Sequence, residues 1–267
     1  MRRKAASAFG GKVPMKKRRT KSKKASARSA KGTKPSSRRG KAKAAGKNTA
    51  NVKAAGTNPQ RVREILQKLD EAYPNVTCAL VHESPFQLLI STILSAQSTD
   101  ETVNRVTKTL YAKYRTPKDF AYASPQEIER EIHSTGFFRN KAKSVIGASK
   151  KIVEEFGGEV PRTMEELLTL PGVARKTANV VLGTAFGIAV GVVVDTHVTR
   201  LSNRLDLSRN TDPKKIELDL MQVIPQEKWI LFSHQLIWHG RKICQARKPK
   251  CVECTLEALC YSKDKTV

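Results

Sequence analysis

The stretch that decides the fold is "LLTLPGVARKTANVVL", residues Leu167–Leu182. Apolar residues at helical spacing on both sides of a proline and a glycine predict two helices joined by a four-residue turn. Pro171 ends the first helix, and Gly172 permits a tight turn. The second helix then begins with free N–H groups and the positive end of its dipole exposed, which attracts phosphate. An ordinary helical hairpin without a ligand has the same pattern.

Helical patterns of the same kind continue on both sides of this stretch, from Asn58 onward. Apolar residues recur at 3.6-residue spacing, and nearly every segment begins with Ser, Thr, Asp, Asn or Pro. Only "IAVGVVV", residues 188–194, has the composition of a strand, and it is too short and isolated to imply a sheet. The predicted fold class is therefore all-α.

Positive charge is concentrated at the beginning of the chain, whose net charge is +26. Residues 1–56 contain 20 Lys or Arg and no acidic residue, whereas the remainder has 30 basic and 24 acidic residues. Such a segment buries too little apolar surface to fold, so we expect a disordered basic tail over residues 1–56. Affinity for nucleic acid through counterion release is one interpretation of the tail, and a targeting leader is the other.

Four of the five cysteines lie close together near the end of the chain. Because no apolar run reaches membrane-spanning length and no secretory signal precedes the body, we expect a reducing intracellular compartment. Clustered thiols there bind metal more often than they form disulfides, and four soft ligands suit either zinc or an iron–sulfur cluster. The spacing is C-x6-C-x2-C-x5-C, with Cys244, Cys251, Cys254 and Cys260 as the candidate ligands.

The motifs "LTLPGVARKTANVVLGTAFG", "VDTH" and "ILSAQSTD", taken with the cysteine spacing, resemble the endonuclease III family, bifunctional DNA glycosylases of base excision repair. The resemblance extends from about Asn58 to Lys265 and leaves the tail unmatched. It implies a 4Fe-4S cluster as cofactor and duplex DNA with damaged bases or abasic sites as partner. It also implies a monomer that works on DNA in the cytoplasm, or in the nucleus or an organelle if the tail is a leader.

The resemblance also implies two α-helical lobes with a DNA-binding cleft between them. A helical barrel lobe spans residues 78–188 and contains the hairpin, residues 167–182. The other lobe combines residues 57–77 with residues 189–267 and contains the iron–sulfur loop, residues 244–260.

Two residues are implied to be catalytic. Lys176 lies in the first turn of the second hairpin helix, where the dipole and desolvation are expected to disfavour its charged form. By resemblance, its amine attacks the sugar, expels the base and forms a Schiff base that permits β-elimination. Asp195 has the position of a helix N-cap, and by resemblance it also stabilises charge at the sugar.

Further residues are implied to contact DNA, beginning with Gln97, which fills the gap left by a flipped base. Phe137 is the implied wedge, although Phe138 beside it leaves the register open and either ring fits a core position. His197 is either a DNA contact or a satisfied helix residue. The remaining candidates come from the turn and from the loop between the first two cluster cysteines: Gly172, Val173, Ala174, Arg247, Lys248 and Lys250.

One departure from the family pattern and two alternative functions stay open. Ala174 replaces the usual glycine of the hairpin, so we expect weaker DNA affinity. A monofunctional adenine or mismatch glycosylase of the same superfamily is an alternative, which Lys176 disfavours. A DNA-binding protein without catalytic activity is another alternative, since the basic tail and the hairpin would suffice for it.

Overall fold

The computed structural model describes residues 55–266, which contain eleven α-helices. No strand occurs within this described range, so the predicted all-α class is confirmed. Short 3-10 turns lie at Ala55–Thr57, His133–Thr135, Gln226–Lys228, Cys251–Glu253 and Glu257–Leu259. The helices are α1 Pro59–Ala72, α2 Pro85–Leu94, α3 Asp100–Lys113, α4 Pro117–Ala121, α5 Pro125–Glu131, α6 Phe138–Glu155, α7 Met164–Leu168, α8 Arg175–Phe186, α9 Thr196–Arg204, α10 Pro213–Val223 and α11 Trp229–Lys242.

Side-chain caps explain where many of these helices begin. The Asn58 side chain accepts hydrogen bonds from the N–H groups of Gln60 and Arg61, and Pro59 occupies the first helical position of α1. Such a cap satisfies backbone donors that otherwise lack partners. Other capping side chains are Ser84, Thr99, Thr116, Thr163, Asp195 and Asp212.

Buried apolar side chains form two separate cores. The first core contains residues of α2 to α8, including the fully buried Phe120 and Leu89. The second core is built from α1 and α9 to α11, with Phe232 at 0% exposure, and it extends to Leu256 beside the last cysteines. The boundaries of the two predicted lobes stay a prediction, and these two cores are the observation that supports them.

The strand-like segment 188–194 has no strand partner within the described range but crosses between the two cores. Successive side chains of an extended backbone point to opposite sides. Val193 accordingly packs into the first core, while Val192 and Val194 pack into the second. Its β-branched composition therefore reflects burial on both sides rather than membership of a sheet.

A buried arginine secures the beginning of the described chain. The Arg61 guanidinium donates hydrogen bonds to the backbone oxygens of Gly56, Leu205 and Leu259, and it is only 7% exposed. The first 3-10 turn begins at Ala55, so the last two residues of the predicted tail belong to the folded part. The rest of the predicted disordered tail lies outside the described residues. Within residues 55–266 no helix is long and apolar enough to cross a membrane.

Candidate functional site

The hairpin between α7 and α8 packs closely against α6. Gly172 has φ +78°, and a Cβ added there would lie 2.6 Å from Cβ of Ser144. A Cβ on Gly147 would likewise lie 3.2 Å from Cγ of Pro171. Small residues on α6 therefore let the turn approach its backbone, as the position of glycine at the turn predicts.

We expect Gly172→Ala to lower the free energy of unfolding through two effects. Left-handed backbone costs a residue with a Cβ about 1 to 2 kcal/mol, and the contact with Ser144 adds about 1 to 3 kcal/mol of overpacking. Gly157→Ala is the matched control, because Gly157 has φ +60° with nothing within 4 Å of an added Cβ. Urea unfolding of both variants isolates the effect of the contact, and equal losses of stability would contradict it.

The three hairpin residues predicted to contact DNA differ in their exposure and in whether their N–H groups are free. Val173 is buried in the first core, and its N–H donates to the Leu170 carbonyl at 3.1 Å, so neither group is free for a ligand. Gly172 and Ala174 are exposed, and within residues 55–266 their N–H groups make no hydrogen bond. Ala174 precedes α8 without a side-chain cap, which leaves the donors at this helix end open to an anion.

Lys176 lies in the first turn of α8, as the motif predicts. Its side chain is exposed, so the expected desolvation is not observed in the free protein. The reason is that Lys176 occupies the outer face of the turn, whereas Ala178 and Asn179 on the other face are buried. Within the described residues the amine makes no hydrogen bond or ion pair, so it is available to react.

Asp195 is the N-cap of α9, as its position after the valine run predicts. One carboxylate oxygen, Oδ1, accepts hydrogen bonds of 2.8 Å from the N–H groups of both His197 and Val198. The other oxygen, Oδ2, accepts no hydrogen bond from any residue between 55 and 266. Capping therefore fixes the half-buried carboxylate and leaves one oxygen for other contacts.

Lys176 and Asp195 each act electrostatically on a half-buried group, Cys78 and His197 respectively. Burial raises the pKa of Cys78, and the charge of Asp100 raises it as well. The charges of Arg241 and Lys176 lower it. Burial lowers the pKa of His197. The charge of Asp195 raises this pKa, and the charge of Arg241 lowers it. Arg241 acts on both Cys78 and His197, and no ion pair joins Lys176 to Asp195 among the described residues.

Arg241 makes a long-range contact that sequence reasoning missed. Its guanidinium donates a 2.6 Å hydrogen bond to the Asp100 carboxylate, which joins the end of α11 to the start of α3. The two residues are separated by 141 positions, so no local pattern indicates their contact.

His197 packs inside the protein rather than projecting freely. Arg200 donates a 3.2 Å hydrogen bond to its Nδ1, and a Cβ on Gly240 would lie 2.9 Å from that nitrogen. These contacts favour the satisfied helix residue over the DNA contact.

Gln97 and Phe137 share an uncommon backbone conformation. Their φ angles are 54° and 47°, in the left-handed region that residues with a Cβ rarely adopt. Gln97 is exposed between α2 and α3, and Phe137 is 64% exposed at the start of α6. Phe138 instead packs against the first core, so the register places Phe137 outside and Phe138 inside. Strained backbone that presents an exposed side chain is common at functional sites.

The four clustered cysteines line one small cavity near the end of the chain. Burial, and to a lesser extent the nearby Cys244, Cys260 and Cys251, raise the pKa of Cys254 to about 11. A hydrogen-bond donor also faces one of the sulfurs. Arg204 Nη1 lies 3.2 Å from Sγ of Cys244.

Four mutually close thiols with donors to sulfur fit a metal–sulfur group. Within residues 55–266 no three Cys, His, Asp or Glu side chains converge on a position for a single ion. A four-iron cluster binds each thiolate at a separate iron atom, so its ligands need not meet at one point.

The loop that follows Cys244 is held by arginines of α9 as well as by its end residues. Arg204 donates to the backbone oxygen of Gln245 at 2.8 Å, and Arg200 donates to that of Cys244 at 2.9 Å. The three predicted cations, Arg247, Lys248 and Lys250, are all exposed on this loop. Lys248 has φ 50°, and Lys250 lies 3.7 Å from the Glu253 carboxylate.

A family comparison defines the class of protein to which this fold and site belong. Residues 90–226 match the family model of the HhH-GPD superfamily base excision DNA repair protein. The matched range contains Gln97, Phe137, Lys176 and Asp195. The class is therefore a base excision repair protein built around a helix–hairpin–helix.

Individual relatives narrow the class to one family. The chain is 62% identical over 203 residues to endonuclease III of Synechocystis sp.. This match covers 76% of this chain and 93% of the relative. Two solved structures, each 44% identical with a TM-score of 0.73, cover 76% of this chain. One is a non-covalent endonuclease III–DNA complex, covered to 95%, and the other a trapped endonuclease III–DNA covalent intermediate, covered to 96%. The chain belongs to the endonuclease III family and is a DNA glycosylase with AP lyase activity.

Proposed function

We propose that Lys176 is the nucleophile and that Asp195 is its partner in both the glycosylase and the lyase steps. The observation that carries this proposal is the exposed, unpaired amine in the first turn of α8, together with the capped Asp195 carboxylate whose Oδ2 has no partner among the described residues. The neutral amine attacks the anomeric carbon, and the damaged base leaves with a proton. The resulting Schiff base acidifies the neighbouring C–H, and loss of that proton expels the 3′ phosphate.

The DNA substrate supplies the desolvation that the free protein lacks. When duplex DNA covers the exposed face of α8, water leaves the amine and the charged form of Lys176 becomes less favourable. Asp195 Oδ2 is the oxygen that stabilises positive charge developing at the sugar, because Oδ1 is already used by the cap.

The proposed substrate is duplex DNA that contains an oxidised pyrimidine or an abasic site. An extruded base leaves a gap, which the exposed Gln97 fills while Phe137 wedges the stack. The open N–H groups of Gly172 and Ala174 and the cations Arg247 and Lys248 hold the backbone phosphates. Incubation with duplexes containing thymine glycol, an abasic site or no damage tests this substrate class, and cleavage of all three at one rate would contradict it.

We expect Asp195→Asn to slow base removal by about 10²-fold or more while damaged-DNA binding is retained. Asparagine preserves the cap but removes the charge, so the two roles of this residue are separated. Asp212→Asn is the matched control, because Asp212 caps α10 through the Lys215 N–H at 3.0 Å outside the site. Single-turnover assays measure both variants, and an unchanged rate for Asp195→Asn would reduce the residue to a cap.

The four cysteines are proposed to hold a 4Fe-4S cluster. Such a cluster, when bound, supplies four metal–sulfur bonds that cross-link the loop, and its role here is structural. Arg200 and Arg204 add hydrogen bonds to the same loop and thereby keep its cations in place. Cations that are already ordered lose less entropy when they bind phosphate.

The basic tail is proposed to add affinity for DNA that does not depend on sequence. We expect deletion of residues 1–54, which keeps the Ala55–Thr57 turn, to leave single-turnover rates at saturating enzyme nearly unchanged. Binding to undamaged duplex should weaken, and the slope of log affinity against log salt should fall by about 0.9 for each phosphate that the protein no longer neutralises. An unchanged affinity and slope would instead favour a targeting leader. The proposed location is the DNA-containing cytoplasm.

A further inference from the structure

A buried carboxylate outside the proposed catalytic pair contacts both the helix that carries Lys176 and the segment that leads to Asp195. Glu217 in α10 is 5% exposed. Its Oε2 accepts a 2.8 Å hydrogen bond from Nε of Arg175, the residue before Lys176. Its Oε1 accepts a 2.8 Å hydrogen bond from Nδ2 of Asn179, one turn further along α8. Both carboxylate oxygens are therefore used to hold the beginning of the helix on which Lys176 lies.

The same carboxylate also contacts the segment that leads to Asp195. A Cβ added to Gly191 would lie 2.1 Å from Glu217 Oε1 and 2.9 Å from Nδ2 of Asn179. Only glycine allows the extended segment to pass this closely over the pair, and Asp195 follows four residues later. The carboxylate thus lies between the α8 helix and the segment that ends at the α9 cap.

The Glu217 carboxylate joins the two apolar cores. Buried residues of α8 belong to the first core, whereas Ile216 and Leu220 beside Glu217 belong to the second. Arg175, Asn179 and Glu217 therefore form a polar link between the two cores, which also meet through the alternating valines. A buried charge is costly unless it is paired and hydrogen-bonded, as it is here. Its cost is consistent with a role in specifying geometry.

We propose that Glu217 is a positioning residue that sets the placement of Lys176 relative to Asp195. It acts through Arg175 and Asn179 on α8 and through Gly191 on the segment before α9. This inference rests on the proposed roles of Lys176 and Asp195. Misplacement of a reacting group by about 1 Å can lower a rate by about 10²-fold, so loss of this link should affect chemistry more than binding.

Glu217→Gln tests the inference, because glutamine keeps the shape and still accepts from Asn179 but presents an amide donor to Arg175. We expect the single-turnover rate of borohydride-trapped imine formation, at saturating enzyme, to fall about tenfold or more. The dissociation constant for a duplex with a tetrahydrofuran abasic analogue should stay unchanged. Arg175→Gln, at a side chain that is 37% exposed, should give the same split and provides the test if Glu217→Gln does not fold.

Ile216→Val is the matched control for simple destabilisation, because Ile216 is a fully buried neighbour on the same helix. It should lower the thermal midpoint without lowering the rate of imine formation. If Glu217→Gln and Arg175→Gln react at the rate of the unmodified protein, or only as slowly as Ile216→Val at equal stability, the positioning role is wrong. If the unmodified protein forms no imine at Lys176, the proposed function fails instead, so the two failures are distinguishable.

Discussion

Replacing Lys176 by alanine is expected to abolish the covalent protein–DNA crosslink that borohydride captures, and to slow strand cleavage by about 10³-fold or more. The imine requires an amine, and Lys176 has an exposed amine without an ion pair in the described region of the chain. Reduction of the imine makes the bond permanent, so gel shift and peptide mapping of the trapped complex measure it directly.

Two other lysines make this experiment specific. Lys150→Ala on α6 is the matched control, because that side chain is exposed outside the proposed site, and its crosslink should be undiminished. Lys141 is the competitor, since burial lowers its pKa. Its amine donates a 2.7 Å hydrogen bond to the Thr135 carbonyl and is only 5% exposed, so it should not react. A crosslink of full yield in Lys176→Ala, mapped to another lysine, would contradict the assignment.

The second large effect is expected at the cysteines. The purified protein should be yellow-brown, with a broad absorption band at about 400 nm from thiolate-to-iron charge transfer. Cys251→Ser should lose this absorption and much of the stability of the second core, whose Leu256 lies in the same loop. The free energy with which a metal centre binds, on the order of 10 kcal/mol, is also folding free energy.

The fifth cysteine supplies the control for that experiment. Cys78 packs against the first core and does not line the cavity of the four clustered thiols. Cys78→Ala should therefore keep the absorption and the iron content. A colourless preparation of the unmodified protein with stoichiometric zinc would show that the cysteines bind zinc instead.

Local patterns in the sequence predicted the helices, and the motifs that resemble the endonuclease III family named the principal site residues, whose roles stay predictions. The side chains of caps such as Asn58 and Asp195 accept hydrogen bonds from N–H groups two or three residues later. The sequence alone therefore predicts where these helices begin. The same locality holds for the turn at Gly172 and for the cysteine spacing, because each depends on neighbours along the chain. The all-α class and the endonuclease III family follow from these features.

Exposure and long-range pairing were decided only by the tertiary structure. Lys176 was expected to be desolvated, but which face of α8 is covered depends on how α2 and α7 pack against it, and the amine lies on the uncovered face. Which of Phe137 and Phe138 is exposed likewise depends on which ring reaches the first core. Glu217 meets Arg175 across 42 residues, and no spacing rule encodes such a contact. Helix and turn signals are local interactions of the chain, whereas burial and ion pairing arise when distant segments pack together.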